Sequence, residues 1–155
     1  MKKLLFISML LSLSIFASNL KDGKYWVEDV AYSYGWKSFT AITVQKGDII
    51  SVKHDKINAK NEYASNDLAY NKNMKLSVNT NPEEFTKTLE NDFMQKKLDA
   101  ISGATEKSYK VNYYEIIDKV DTVAGATANS NIFKKQIKFL LDKASKGETG
   151  KHTLK

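Results

Sequence analysis

Ser38-Phe39-Thr40-Ala41-Ile42-Thr43-Val44-Gln45, then Lys46-Gly47-Asp48, then Ile49-Ile50-Ser51-Val52-Lys53-His54-Asp55, is the stretch that decides the fold. The first run alternates, with Thr40, Ile42 and Val44 on one face. The second alternates in turn and puts Ile50, Val52 and His54 together. Two alternating runs around a glycine turn predict a β-hairpin. Upstream, Asp22-Gly23 is a turn, and Tyr25-Trp26-Val27 opens another strand. Downstream, residues 56–81 are rich in Asn, Lys and Ser and read as loop, with a short helix around Leu68 to Met74. Asn81-Pro82-Glu83-Glu84 then starts a helix, because Asn caps, Pro fits the first position and acids suit the positive dipole end. Phe85, Leu89 and Phe93 recur on one face of it. A second helical pattern carries Tyr109, Tyr113, Ile116, Ile117 and Val120. A third carries Phe133, Ile137, Leu140, Leu141 and Ala144, with Gly147 as its stop. Strands first and helices later predict an α+β domain, an antiparallel sheet with an N-terminal hairpin covered by C-terminal helices.

Bulk properties narrow the function classes. Two lysines precede an apolar run from Leu4 to Phe16 that closes on Ala17. That layout predicts a secretory signal peptide over residues 1–17, cleaved after Ala17, and one domain over 18–155. The run is shorter than the ~20 residues of a membrane span. The formal charge is +6 and Lys2 and Lys3 supply two of it, so residues 18–155 carry +6 − 2 = +4. The lysines are dispersed and arginine is absent, which argues against nucleic-acid binding. With no cysteine, disulfides, iron–sulfur clusters, thioether-linked haem and a cysteine-linked lipid are not expected. His54 and His152 have no paired ligand residues, and no nucleophile–base pair for hydrolysis is visible.

The most informative feature is an internal repeat. Residues 99–105 read Asp-Ala-Ile-Ser-Gly-Ala-Thr and residues 121–127 read Asp-Thr-Val-Ala-Gly-Ala-Thr. Each copy is expected to form a tight loop between two helices. Gly103 or Gly125 lets the backbone take positive φ or approach a ligand closely. Ala104 or Ala126 keeps the site uncrowded. Thr105 or Thr127 places a hydroxyl where the next helix begins, and unpaired N–H groups there attract anions. A phosphate held there has its charge stabilised; alternatively, each threonine simply caps its helix.

The repeat resembles the attachment motif of the FMN-binding domain family, Asp-x-x-(Ser/Thr/Ala)-Gly-Ala-Thr. That family includes flavin-carrying subunits of sodium-pumping quinone reductases and exported electron-transfer proteins. Supporting similarity lies in Asp22-Gly23-Lys24-Tyr25, Gly35-Trp36, Ile42-Thr43-Val44, Gly47-Asp48-Ile49, Asp67, Tyr70, Met74, Pro82 to Phe85 and the closing run Phe133 to Gly147. The resemblance implies FMN joined by a phosphoester to the last threonine, installed from FAD by a separate flavin transferase. It implies an electron carrier with membrane or extracellular redox partners. Thr127, with Asp121, Gly125 and Ala126, is the favoured site, because its following helix is strongly apolar-striped. Thr105, with Asp99, Ser102, Gly103 and Ala104, is the second, and Ser102 keeps the family's usual residue where Ala124 departs from it. Trp36, Tyr70 and Tyr109 are candidates for packing on the flavin ring. An exported adhesion module without flavin and a reversible FMN-binding reductase component are the competing readings.

Overall fold

The computed structural model describes residues 19–103 and 110–155. The expected signal peptide over 1–17 therefore lies outside the described residues, as do Ala104, Thr105 and Tyr109. The elements run β1 (Gly23–Asp29), β2 (Lys37–Gln45), β3 (Asp48–Ile57), a single 3-10 turn (Ala64–Asn66), α1 (Leu68–Val78), α2 (Pro82–Ser102), α3 (Tyr113–Lys119), α4 (Thr127–Lys146) and β4 (Gly150–Leu154). The architecture is α+β: a four-stranded sheet in the order β3-β2-β1-β4, with the helical half of the chain packed on one face.

The β2–β3 hairpin forms where alternation placed it, with one correction. Val44 faces Ile49 while Ile42 faces Val52, so β3 carries one extra residue beside the turn. Such a bulge shifts the side-chain phase by one. Ile49 is therefore fully buried and Ile50 is turned outward, not grouped with Val52 and His54. The sheet is also not wholly antiparallel. β4 adds beside β1 in parallel, pairing Tyr25 with Gly150 through Asp29 with Leu154.

Helix ends follow their local signals. Asn81 accepts from the Glu84 N–H at 2.9 Å and Pro82 is the first residue of α2. Gly147 ends α4 with φ 75°, where the Glu148 N–H reaches the Lys143 carbonyl at 3.0 Å. Phe85, Leu89, Phe93, Phe133, Ile137 and Leu140 are fully buried and meet Tyr25, Val27 and Ile42 of the sheet. α1 is longer than expected, running to Val78.

Two helices act as rulers across the sheet. Gln136 of α4 donates to Asp29, the last residue of β1, at 2.9 Å, while the Lys21 N–H ahead of β1 reaches the Ala144 carbonyl at 2.8 Å. α4 thus runs antiparallel to β1, and its first residue, Thr127, projects beyond the end where β1 finishes and β2 begins. α2 runs the same way: Glu90 in its first half accepts from the His54 N–H at 2.7 Å, and Lys97 in its second half reaches Asp48 at 2.8 Å.

Candidate functional site

The segment 121–127 is fastened at three points. At its start, the Asp121 N–H donates to Asp92 at 2.7 Å, and Lys96 bridges Asp92 at 2.8 Å and Asp121 at 3.0 Å. Those two carboxylates hold the Lys96 ammonium above its ordinary pKa, Asp92 contributing most. In the middle, the Val123 N–H donates to Ser130 Oγ, which in turn donates to the Ala126 carbonyl, each at 3.0 Å. The Ala126 N–H closes a turn onto the Val123 carbonyl at 3.0 Å. At the far end Gly125 sits at φ 76° against the loop joining α1 to α2. A β-carbon there would stand 2.3 Å from the Val78 carbonyl oxygen and 3.1 Å from Thr80 Cγ2. Positive φ and the close backbone approach both require glycine.

This anchoring leaves Thr127 exposed as the first residue of α4. The N-cap is Ala126, with no side-chain cap hydrogen bond, so the capping alternative for this threonine does not hold. Its hydroxyl lies in the first turn of a 20-residue helix, where unpaired amide groups and the dipole stabilise negative charge. Asp121 is 86% exposed at its side chain and helps fasten the loop through Lys96. Buried Ala126 packs into the core. These residues fit a phosphoester on Thr127: an open hydroxyl, an anion-favouring helix end and a rigid approach.

The first copy of the repeat folds differently. Asp99 to Ser102 are the last residues of α2, not an interhelical loop, and Asp99 accepts from Gln95 at 2.8 Å within that helix. Gly103 has φ −80°, an ordinary helical value, and among the described residues a β-carbon on it would meet only Asp99 O at 3.4 Å. Gly103 and Gly125 stand at opposite ends of α2, whose 21 residues rise about 30 Å. The described part of the first copy, Asp99 to Gly103, therefore does not meet the second. The physical reason is local. Met94 to Ile101 continue the helical stripe of α2 into the first copy as far as Ser102, whereas the second follows the short α3.

Of the ring-packing candidates, the structure brings Trp36 and Tyr70 together, stacked with centroids 5.4 Å apart. The two histidines serve packing. His54 is fully buried, with Nδ1 2.8 Å from Thr40 Oγ1, which donates to Gln136 Oε1 at 2.7 Å. Nδ1 therefore carries the proton, and Nε2 is buried without a partner. Burial, with Lys56 nearby, pulls the His54 pKa down to about 3. His152 lies 2.8 Å from the Glu148 carbonyl. Among the described residues no group of three or more His, Cys, Asp or Glu could hold a metal ion, and no helix is long and apolar enough to cross a membrane. Sequence reading missed the supporting residues Asp92, Lys96 and Ser130. Only the spacing of Lys96 four residues after Asp92 hinted at any of them.

No family model matches the chain. It is similar to a 15 kDa lipoprotein of Treponema pallidum (strain Nichols), 28% identical over 114 residues, which cover 74% of this chain and 68% of the relative. Its fold is similar to the crystal structure of the CPE2226 protein of Clostridium perfringens. The TM-score is 0.68 at 27% identity, over 88% of this chain and 99% of that one. Neither name assigns a ligand or an activity.

Proposed function

We propose that this protein is an exported electron carrier bearing FMN in phosphoester linkage on Thr127. The observation that carries the reading is the anchored loop 121–127, which presents an exposed, uncommitted hydroxyl on the first turn of α4. A flavin transferase would act on it from outside. The Thr127 Oγ–phosphorus bond forms as the pyrophosphate bond of FAD breaks, AMP leaves, and the hydroxyl proton passes to the transferase or solvent. Within the chain, the α4 amides stabilise the phosphate charge, Gly125 admits the close backbone approach, and Asp92 and Lys96 hold the Asp121 end still. The bound flavin supplies electron transfer, and the protein supplies its placement. Membrane or extracellular redox partners would give and take the electrons. Export is supported by the charged-then-apolar layout of residues 1–17 and by the lipoprotein relative.

Thr127 is preferred over Thr105 because Asp99 and Ser102 are committed to α2. The test is co-expression with a flavin transferase, followed by in-gel fluorescence and intact mass after denaturation. One FMN per chain is expected, lost in Thr127→Val and kept in Thr105→Val. Wild-type protein with no flavin surviving denaturation would refute the carrier reading and leave reversible binding or adhesion. A flavin that persists in Thr127→Val and vanishes in Thr105→Val would move the site. For export, intact mass from the native host should show a chain beginning at Ser18.

A further inference from the structure

We infer that the cleft walled by Trp36 and Tyr63 seats the isoalloxazine ring of the FMN carried on Thr127, an inference that rests on the attachment proposed above. The cleft measures about 450 Å³ and is lined by Trp36, Asn61, Glu62, Tyr63, Asn66 and Asp67. That volume falls within the roughly 300–1,000 Å³ of ligand sites.

Its walls are held in place. Trp36 exchanges backbone hydrogen bonds with Ser33, at 2.6 and 3.0 Å, and stacks on Tyr70. Opposite, Asn58 Oδ1 accepts from the Lys60 and Glu62 N–H groups at 2.9 and 3.0 Å, fixing the turn that carries Asn61. Asp67 caps α1 by accepting from the Tyr70 N–H at 2.9 Å. Among the described residues the side-chain amides of Asn61 and Asn66 make no hydrogen bond. An isoalloxazine ring has an apolar face that suits an aromatic wall. Its pyrimidine edge has two carbonyl acceptors and one N–H donor, which two free amides match.

Position favours this occupant. The cleft lies at the end of the sheet beyond which Thr127 projects, since Trp36 directly precedes β2 and Asn61 to Asp67 follow β3; Tyr63 packs there on Phe39 beside Trp26, on the sheet face away from the helices, so the flavin reaches it around that end. α1 connects the two places: Tyr70 in its first turn touches Trp36, and Val78 at its end touches the Gly125 loop. Those eight residues rise about 12 Å. The extended ribityl chain carries the ring on the order of 9 Å from its phosphorus at ordinary bond lengths, before the length of the ring itself is added.

The experiment uses flavin-loaded protein made with the transferase, with covalent flavin quantified first by denaturing-gel fluorescence. Tryptophan and tyrosine stacked on a flavin quench its emission by donating an electron to the excited ring, and phenylalanine does not. Emission of the native wild type should therefore be strongly quenched relative to the same protein denatured. Trp36→Phe keeps an aromatic wall and should raise native emission several-fold at unchanged flavin content. Adding Tyr63→Phe should raise it further. Tyr114→Phe, on α3 beside Asn19, Leu20 and Leu141 at the other end of the sheet, should leave it unchanged. Bright native wild-type emission, or loaded Trp36→Phe and double variants no brighter than wild type, would overturn the ring seat while leaving attachment intact. Absence of covalent flavin from the wild type would overturn both.

Discussion

Gly103 and Gly125 occupy the same position of a repeated heptapeptide, yet the structure predicts opposite responses to alanine. At Gly125, φ of 76° puts an L-residue in the left-handed region, which costs about 1–2 kcal/mol. The new β-carbon also stands 2.3 Å from the Val78 carbonyl oxygen. That atom is backbone at the end of α1 and cannot rotate away, so the junction between α1 and α2 must shift, at about 1–3 kcal/mol for overpacking of this kind. The sum is about 3 kcal/mol, a large part of a typical domain's stability, and at roughly 2–4 °C per kcal/mol it lowers the melting temperature by about 6–12 °C. At Gly103, φ is −80° and the nearest atom among the described residues is 3.4 Å away, so alanine is tolerated. Reduced freedom of the unfolded chain makes that change neutral or stabilising by up to about 1 kcal/mol. Urea unfolding of both variants, followed by circular dichroism, measures the difference. Removing the Thr80 methyl in Gly125→Ala should rescue little, because the main obstruction is a carbonyl. Equal losses at the two glycines would refute the close approach of Gly125 to α1.

Three further outcomes are expected. Thr127→Val should abolish flavin attachment while thermal melting shows a stability change within about 0.5 kcal/mol, since the residue is exposed and caps nothing. His54 has a folded-state pKa of about 3, below its unfolded value, so the unfolded chain binds the extra proton on acidification. Its contribution is complete above about pH 6.5 and is lost as the pH falls toward 3, by at most about 1.4 kcal/mol per pH unit. His54→Gln should flatten that part of a stability-against-pH curve from chemical denaturation; an unchanged slope would contradict its burial as a neutral ring. Lys97 is 5% exposed and bonds Asp48 at 2.8 Å and the Ile49 carbonyl at 2.7 Å. Lys97→Met should cost about 3 kcal/mol in urea titration, the low end for a broken buried pair because Asp48 keeps access to water.

Local chemistry made much of the fold legible. Asn81-Pro82-Glu83-Glu84 opens α2 and Gly147 closes α4, because caps and stops are decided by neighbouring residues. The hairpin and the buried stripe of Phe85, Leu89 and Phe93 follow from periodicity. Three features escaped. The bulge at Ile49–Ile50 is invisible because two adjacent isoleucines serve either phase equally. β4 is short, polar and at the sheet edge, and Gly150-Lys151-His152-Thr153-Leu154 holds no apolar alternation to betray it. Both Gly-Ala-Thr copies were expected to form interhelical loops, but what precedes each one decides its shape: Asp99 to Ser102 extend a long helix, and Asp121 to Ala124 follow a seven-residue one. For the candidate site, the threonine and glycine were readable, whereas the grip of Asp92, Lys96, Ser130 and Val78 on the loop is a product of tertiary packing.

The parallel pairing of β4 with β1 sets an order of events for the nascent chain. Tyr25 cannot meet Gly150 until nearly every residue between them has been synthesised, and closing so long a span delays that contact relative to the hairpin. The β2–β3 hairpin, α2 and α4 can all form without it, but the sheet keeps an open edge at β1 until residues 150–154 arrive. A strand edge left unpaired for that interval is a template for other chains, so the arrival of β4 also closes β1 against them. Removal of residues 150–155 should then leave a protein that is made normally but whose β1 edge stays available to pair with other strands.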